Sequence, residues 1–222
     1  MCGLVGALSS TLSPVELDVF RLMFHFDIVR GEDASGVFIN GTKNGKREML
    51  IAKTTGHPTN LYTRYPAVFS ETGKINRDVF STINMILGHN RSKTIGENTP
   101  ENAHPFHYGD LVGFHNGTLT GLTELPELPK TATGVRTDSE RFYHALATGM
   151  TIEDLVKKVN GAMALVWYNK ATKELKMFRN KERPLYYYIA TGTMYYAREA
   201  WMNELAINRA KTATSFVKTN LN

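Results

Sequence analysis

Cys2 is the only cysteine in the chain of 222 residues, and it stands directly behind Met1. Removal of Met1 would put a thiol and a free α-amine on the same residue. An α-amine has a reference pKa of about 7.7–8.0, so near neutral pH much of it can accept a proton. A thiol is the strongest neutral-pH nucleophile among side chains, and a base one residue-width away can activate it for attack on a carbonyl. A lone cysteine is equally compatible with an inert small hydrophobe, so the remaining parts of a reaction site have to be found elsewhere.

Further clusters mix glycine with polar groups between apolar stretches, the punctuation of backbone that turns tightly beside a ligand. Arg30-Gly31-Glu32-Asp33-Ala34-Ser35-Gly36 comes first. Gly88-His89-Asn90-Arg91-Ser92-Lys93-Thr94 ends an apolar run with an arginine, whose guanidinium can grip a carboxylate with two hydrogen bonds. Glu97, Asn98, Asn102 and Ala103-His104-Pro105-Phe106 follow. Phe114-His115-Asn116-Gly117 ends another apolar run, and an Asn side-chain NH₂ beside a Gly backbone N–H makes a two-donor oxyanion pocket. Thr137-Asp138-Ser139-Glu140 sets a carboxylate at a helix start, where it can receive an ammonium group. Each cluster also has a plainer alternative: a solvated charge, a turn or a helix cap. His104, His107 and His115 have no second cysteine and no compact ligand set beside them, so neither a metal nor another cofactor is expected. In combination the clusters describe a pocket for an α-amino acid that carries a side-chain carbonyl.

The elements that must position these residues follow from periodicity and turn chemistry. Residues 2–9 read as a strand. Ser13-Pro14-Val15-Glu16 is a capping box with Pro at the first helical position, opening a largely apolar helix over 14–29 that Gly31 closes. Residues 34–40 and 47–53 read as a hairpin joined through Gly41 and Asn44-Gly45. Residues 54–73 read as a loop with short helical turns, 83–88 as a buried strand, 94–106 as polar and irregular, 111–114 as a strand and 122–133 as a surface connection. Thr137–Glu140 reads as a second capping box for a helix reaching about 148, followed by a helix over 151–159. Strands are expected at 162–168, 175–178, 185–190 and 194–197, then a helix over 199–207 and a polar tail. Hairpin-linked strands with helices between the groups predict an α+β domain of two antiparallel sheets with helices packed outside them.

Composition narrows the class. Hydrophobic residues make up 42% and charged residues 21% of the chain, which is globular. The net charge of +5 comes from scattered basic residues, which predicts a solvated basic surface and no nucleic-acid partner. A single cysteine excludes an internal disulfide and suits a reducing, cytoplasmic setting. No signal peptide and no apolar run of about 18 residues is present, so no membrane association is expected.

The order of the motifs resembles the class II glutamine amidotransferase domain, a branch of the N-terminal nucleophile hydrolases. Cys2-Gly3-Leu4-Val5-Gly6 is similar to the family start Cys-Gly-Ile-x-Gly, Arg30–Gly36 to Arg-Gly-x-Asp-Ser-x-Gly, and Gly88–Thr94 to Gly-His-Thr-Arg-x-x-Thr. Ala103-His104-Pro105, His115-Asn116-Gly117, Thr137-Asp138-Ser139-Glu140 and Gly161-Ala162-Met163-Ala164-Leu165 follow in the family's order, and the Gly-Glu…Asn-Ala-His-Pro run is similar to the glutaminase half of glucosamine-6-phosphate synthase. The resemblance implies a four-layer αββα sandwich. It implies Cys2 as nucleophile with its α-amine as base, and Asn116 and Gly117 as oxyanion hole. It implies Arg91 and Thr94 on the glutamine α-carboxylate, Asp138 with help from Gly117 on the α-ammonium, Arg30 ordering the loop over Cys2, and His104 supporting the pocket. Departures are Ala34-Ser35 in reversed order, Lys93 and Ile95 in the carboxylate loop, and Arg198 where a late serine is frequent.

The function expected is therefore hydrolysis of the L-glutamine side-chain amide, with ammonia passed to a separate synthase or acceptor protein. Residues 1–222 are expected to form one amidotransferase domain with no synthase domain. The alternatives are another N-terminal-cysteine amide hydrolase, such as an acylase, and a glutamine-sensing or regulatory module.

Overall fold

The structure, a computed structural model, describes residues 2–130, 132, 134–210 and 217–220. Met1, the end of the connection at Thr133 and part of the expected polar tail lie outside the described residues. The chain starts in β1 (Val5–Leu8) and continues through α1 (Pro14–Phe26). Ser13 Oγ accepts from the Glu16 N–H at 3.3 Å and the Glu16 carboxylate accepts from the Ser13 N–H at 2.6 Å, so this capping box is reciprocal. The expected helix over 14–29 tightens at its end into a 3-10 turn, Asp27–Arg30, a common way for a helix to finish.

β2 (Ala34–Lys43) and β3 (Lys46–Thr55) form the expected hairpin, with Asn44 and Gly45 at φ 51° and 75° in its turn. Gly41 lies within β2 instead of in the turn. A short helix α2 (Asn60–Arg64) precedes β4 (Thr82–Arg91). Next come β5 (Phe106–Tyr108), which sequence reasoning missed, and β6 (Leu111–Thr120). Helices α3 (Asp138–Ala147) and α4 (Ile152–Lys158) lead into β7 (Asn160–Asn169) and β8 (Glu174–Arg179). β9 (Tyr186–Ala190), β10 (Thr193–Ala197), α5 (Ala200–Ala210) and β11 (Val217–Asn220) complete the described chain. β11 replaces part of the expected polar tail.

The strands form two antiparallel sheets. The larger has seven strands in the order β11-β9-β10-β1-β4-β2-β3, and the smaller has four in the order β5-β6-β7-β8. The late strand series therefore divides: β7 and β8 join the small sheet, β9 and β10 the large one. Alternation along each strand sorts the apolar side chains into separate layers. Leu4, Phe38, Leu87, Phe114, Val166 and Tyr196 fill the space between the sheets. Val19, Phe20, Met23 and Met202 cover the outer face of the large sheet from α1 and α5. Phe142, Ala145 and Leu155 do the same for the small sheet from α3 and α4. The result is the expected α+β, four-layer αββα sandwich. Among the described residues no helix is long and apolar enough to cross a membrane.

Two strands run further than their apolar stretches. The run expected to end at 88 continues through His89, Asn90 and Arg91, because β2 pairs with it from Val37↔Gly88 to Ala34↔Arg91. The run expected to end at Asn116-Gly117 continues to Thr120 along β7. Both extensions carry polar side chains at the same end of the sandwich.

Phe114 is fully buried between the sheets. Phe114→Ala should cost about 3–5 kcal/mol of unfolding free energy, measured by urea denaturation with an unchanged m-value. A cost below about 1 kcal/mol would mean that the inter-sheet layer is not a packed core.

Candidate active site

Residues 2–4 continue the line of β1 beyond its paired part. The Gly3 N–H donates to the Asn90 carbonyl at 2.7 Å, and the Arg198 N–H donates to the Leu4 carbonyl at 3.1 Å. Cys2 is thereby buried at the end of the large sheet's central strands, where its Sγ–H donates to the Ser92 carbonyl at 3.3 Å. Burial pushes the thiol above its ordinary range, while the nearby Arg91 pulls it down and Asp138 pushes it up. The resting sulfur is therefore held in its protonated thiol form. Arg91 in turn is influenced by Cys2, Asp33 and Asp138. Residues 2, 91 and 138 thus lie within mutual electrostatic reach.

Arg91 is almost fully buried at the end of β4, where Nη1 donates to the Glu97 carbonyl at 2.9 Å and Nη2 to the Ile95 carbonyl at 2.7 Å. It folds the 95–97 loop around itself, and Ile95, noted as a departure, contributes a backbone carbonyl there. Thr94 is exposed in the same loop. The Lys93 N–H donates to Asp33 Oδ2 at 2.7 Å and the Asp33 N–H to the Arg91 carbonyl at 3.0 Å, so Asp33 fastens the base of the loop.

Asn116 faces the inter-sheet side of β6, two residues after Phe114, and its buried Nδ2 has no hydrogen-bond partner. Gly117 follows at φ 155°, and a Cβ there would collide with the Ala162 carbonyl of β7. Asn116-Gly117 is consequently a strand segment and not a turn. Asp138 begins α3, and its Oδ2 accepts from the Leu119 N–H of β6 at 2.6 Å. Thr137 caps the helix through the Glu140 N–H at 3.2 Å. The expected second capping box is only half formed, because Glu140 pairs with Arg136 at 2.6 Å and with the Tyr108 hydroxyl at 2.8 Å.

His89 connects the sheets: its Nε2 lies 3.0 Å from the His115 carbonyl. His104 stacks on it with ring centroids 4.0 Å apart and meets Phe106 edge-on at 4.8 Å. His104 thus packs between His89 and Phe106. His107 and His115 have other partners, Gly109 for His107 and Ser139 for His115. Among the described residues no cluster of three or more His, Cys, Asp or Glu could hold a metal ion.

Arg30 ends the 3-10 turn and pairs with Glu199 at 3.6 Å. Arg198, noted as a departure, is buried and its Nη1 donates to the Cys2 carbonyl at 3.4 Å. Sequence reasoning missed Asn90 and Ser92 as supports of Cys2. Alternation in an apolar strand could have flagged Asn90, since a polar residue between His89 and Arg91 must face a buried layer and be satisfied there.

A family model described as a glutamine amidotransferase domain matches residues 89–201, just over half of the chain. Glutamine–fructose-6-phosphate aminotransferase of Lactococcus lactis is 27% identical over 199 residues, 83% of this chain and 30% of that protein. The Aquifex aeolicus protein of the same name is 31% identical over 176 residues, 74% of this chain and 26% of that protein. The chain therefore spans less than a third of the length of these curated relatives. Among solved structures, the B. subtilis glutamine phosphoribosylpyrophosphate amidotransferase superimposes with a TM-score of 0.63 at 19% identity, covering 99% of this chain and 44% of that one. That likeness is one of fold.

Burial holds His89 down to about 3 and His104 well below its ordinary value. Both are neutral in the folded protein, whereas the unfolded chain takes up protons near 6.5. Stability is therefore full above about pH 6.5 and falls as the pH drops towards 3, by about 1.4 kcal/mol per pH unit for each histidine. Urea titrations between pH 7 and pH 4.5 should show a shallower loss in His89→Gln than in the unaltered protein. Equal slopes would mean that His89 is charged in the fold.

Proposed function

The chain belongs to the glutamine amidotransferase domain family, and on that basis we propose that it hydrolyses the side-chain amide of L-glutamine with Cys2 as nucleophile. The observation that carries this reading is the Asn116 side chain. A buried amide donor left without a partner costs about 1–3 kcal/mol, and Asn116 Nδ2 is such a donor. A site that keeps this donor is prepared for an acceptor that arrives with a ligand. The strand that carries it also presents Gly117 and, through Leu119, holds Asp138.

The reaction begins once Met1 has been removed. The Cys2 thiol gives its proton to its own α-amine, and the sulfur bonds to the glutamine side-chain carbonyl carbon. Charge develops on the carbonyl oxygen, which Asn116 Nδ2 and the Gly117 N–H receive. The tetrahedral adduct collapses as the α-ammonium returns the proton to the leaving nitrogen, ammonia departs, and a γ-glutamyl thioester remains. Water, deprotonated by the same amine, cleaves the thioester and releases glutamate. Arg91 and Thr94 bind the substrate α-carboxylate, and Asp138 with Gly117 its α-ammonium. Arg30 orders the segment over Cys2, and His104 supports the pocket from behind His89.

Residues 1–222 act in this reading as one amidotransferase domain, and the ammonia serves an acceptor enzyme outside them. The curated relatives are named as aminotransferases to fructose 6-phosphate, and most of their length lies outside the matched region. A cytoplasmic setting, where thiols stay reduced, suits the single Cys2.

Ammonia release from glutamine tests the proposal. Cys2→Ala should reduce it to background, and Asn116→Ala should lower kcat by about 10²–10³. Mass spectrometry of active protein should show a chain that starts at Cys2. Full activity in Cys2→Ala, or in protein that retains Met1, refutes the mechanism. Glutamine binding without turnover would point instead to a sensing module.

A further inference from the structure

One carboxyl group beside the nucleophile has no part in that chemistry. Asp27, the first residue of the 3-10 turn, is fully buried. Its carboxyl fills the space that a Cβ on residue 3 would occupy, so Gly3 is required where it stands. Asn90 Nδ2 donates to Asp27 Oδ2 at 3.3 Å, while Asp27 Oδ1 has no hydrogen-bond partner. Of the surrounding charges, Arg198 contacts the Cys2 backbone. Arg30 lies on the same turn, and Arg198 and Glu199 lie between β10 and α5. Arg183 adds a further positive charge towards Arg198. The Cys2 thiol is influenced by different groups, Arg91 and Asp138.

A carboxylate in such a place would draw a guanidinium onto itself, because a charge-assisted hydrogen bond is roughly twice as strong as a neutral one. Here Oδ1 takes none. Arg30 pairs with Glu199 at 3.6 Å, and Arg198 is shared between Glu199, 3.9 Å from its Nε, and the Cys2 carbonyl, 3.4 Å from its Nη1. Glu199 occupies both guanidiniums, and the buried Asp27 carboxyl is left without an ion pair, a setting that favours its neutral form. Burial pushes Asp27 up to about 8 against the pull of Arg30, Asn90 and Arg198.

We propose that Asp27 is a positioning residue for the nucleophile. As a neutral carboxylic acid it packs under Gly3 while Arg198 rests on the Cys2 carbonyl; as a carboxylate it draws Arg198 off that carbonyl and unseats residue 2. The inference deepens the assignment of Cys2 as nucleophile and rests on it. The sign follows from the chemistry. The seated arrangement persists below the Asp27 pKa and is lost as the pH rises through about 8. The folded protein holds a proton on Asp27 that the unfolded chain releases near 3.9, so this group also makes stability fall as pH rises between about 4 and about 8.

The test compares pH profiles of the unaltered chain, Asp27→Asn and Arg198→Gln. Glutamine hydrolysis is one readout. Alkylation by iodoacetamide is the other, and it reports on Cys2 alone because the chain has no second cysteine. The ratio of Asp27→Asn to unaltered kcat should rise at least about fivefold between pH 7 and pH 9. The ratio of the two alkylation rates should change at least about threefold over the same interval. In Arg198→Gln the alkaline loss should be absent, since nothing remains for the carboxylate to draw away. Parallel profiles for the unaltered chain and Asp27→Asn, or an alkaline loss that persists in Arg198→Gln, overturn the proposal. If no protein hydrolyses glutamine, the functional reading fails separately, and the alkylation ratios still decide the role of Asp27. Should Asp27→Asn not fold, the Arg198→Gln profile decides.

Discussion

Everything at this site hangs on Asn90. Its carbonyl receives the Gly3 N–H at 2.7 Å, which ties the leading segment to the end of β4. Its side-chain amide donates to the Phe24 carbonyl at the end of α1 at 2.9 Å and to Asp27 at 3.3 Å. Its side-chain oxygen accepts from Ser35 Oγ of β2 at 2.9 Å. One buried side chain thus joins two strands and a helix end, and the backbone of the same residue holds the segment that carries Cys2. A buried network of this kind is rigid only when its members are satisfied. Ser35, which reverses the family's usual order with Ala34, is the residue that satisfies the Asn90 oxygen.

The surroundings of Cys2 are set by opposing demands. Burial raises the thiol and so keeps the sulfur protonated at rest. Arg91 and Asp138 stand close enough to act on it with opposite sign. Asp138 is already bound to Leu119 through one oxygen, and Arg91 is bound to the 95–97 loop. Both side chains are therefore held in fixed orientations by the fold.

The two sheets meet at this end through polar contacts instead of apolar ones. His89 reaches the His115 carbonyl across the gap, and His104 stacks behind it. Further along, Phe38, Phe114 and Tyr168 take over. The sandwich is thus closed by apolar packing along its length and by a hydrogen bond and stacked rings at this end.

Local sequence patterns specify the class of architecture and name the candidate site residues. Capping at Ser13, the Asn44-Gly45 turn and the apolar alternation are local properties, and local geometry follows from them. The ordered clusters around Cys2, Arg91, Asn116 and Asp138 were legible because glycine and polar residues interrupt apolar runs there. Where the runs end depends on strand partners distant in the chain. His89-Asn90-Arg91 and Asn116-Gly117 look like strand ends in the sequence, yet β2 and β7 supply ladder partners that carry the strands through them. The tertiary structure also decides that Glu140 serves Arg136 and Tyr108 and not its own helix start. Asp27 under Gly3 and Arg198 on the Cys2 carbonyl were beyond sequence reasoning for the same reason. These contacts join positions far apart in the chain, and no local pattern specifies which buried polar groups will satisfy one another once the layers close.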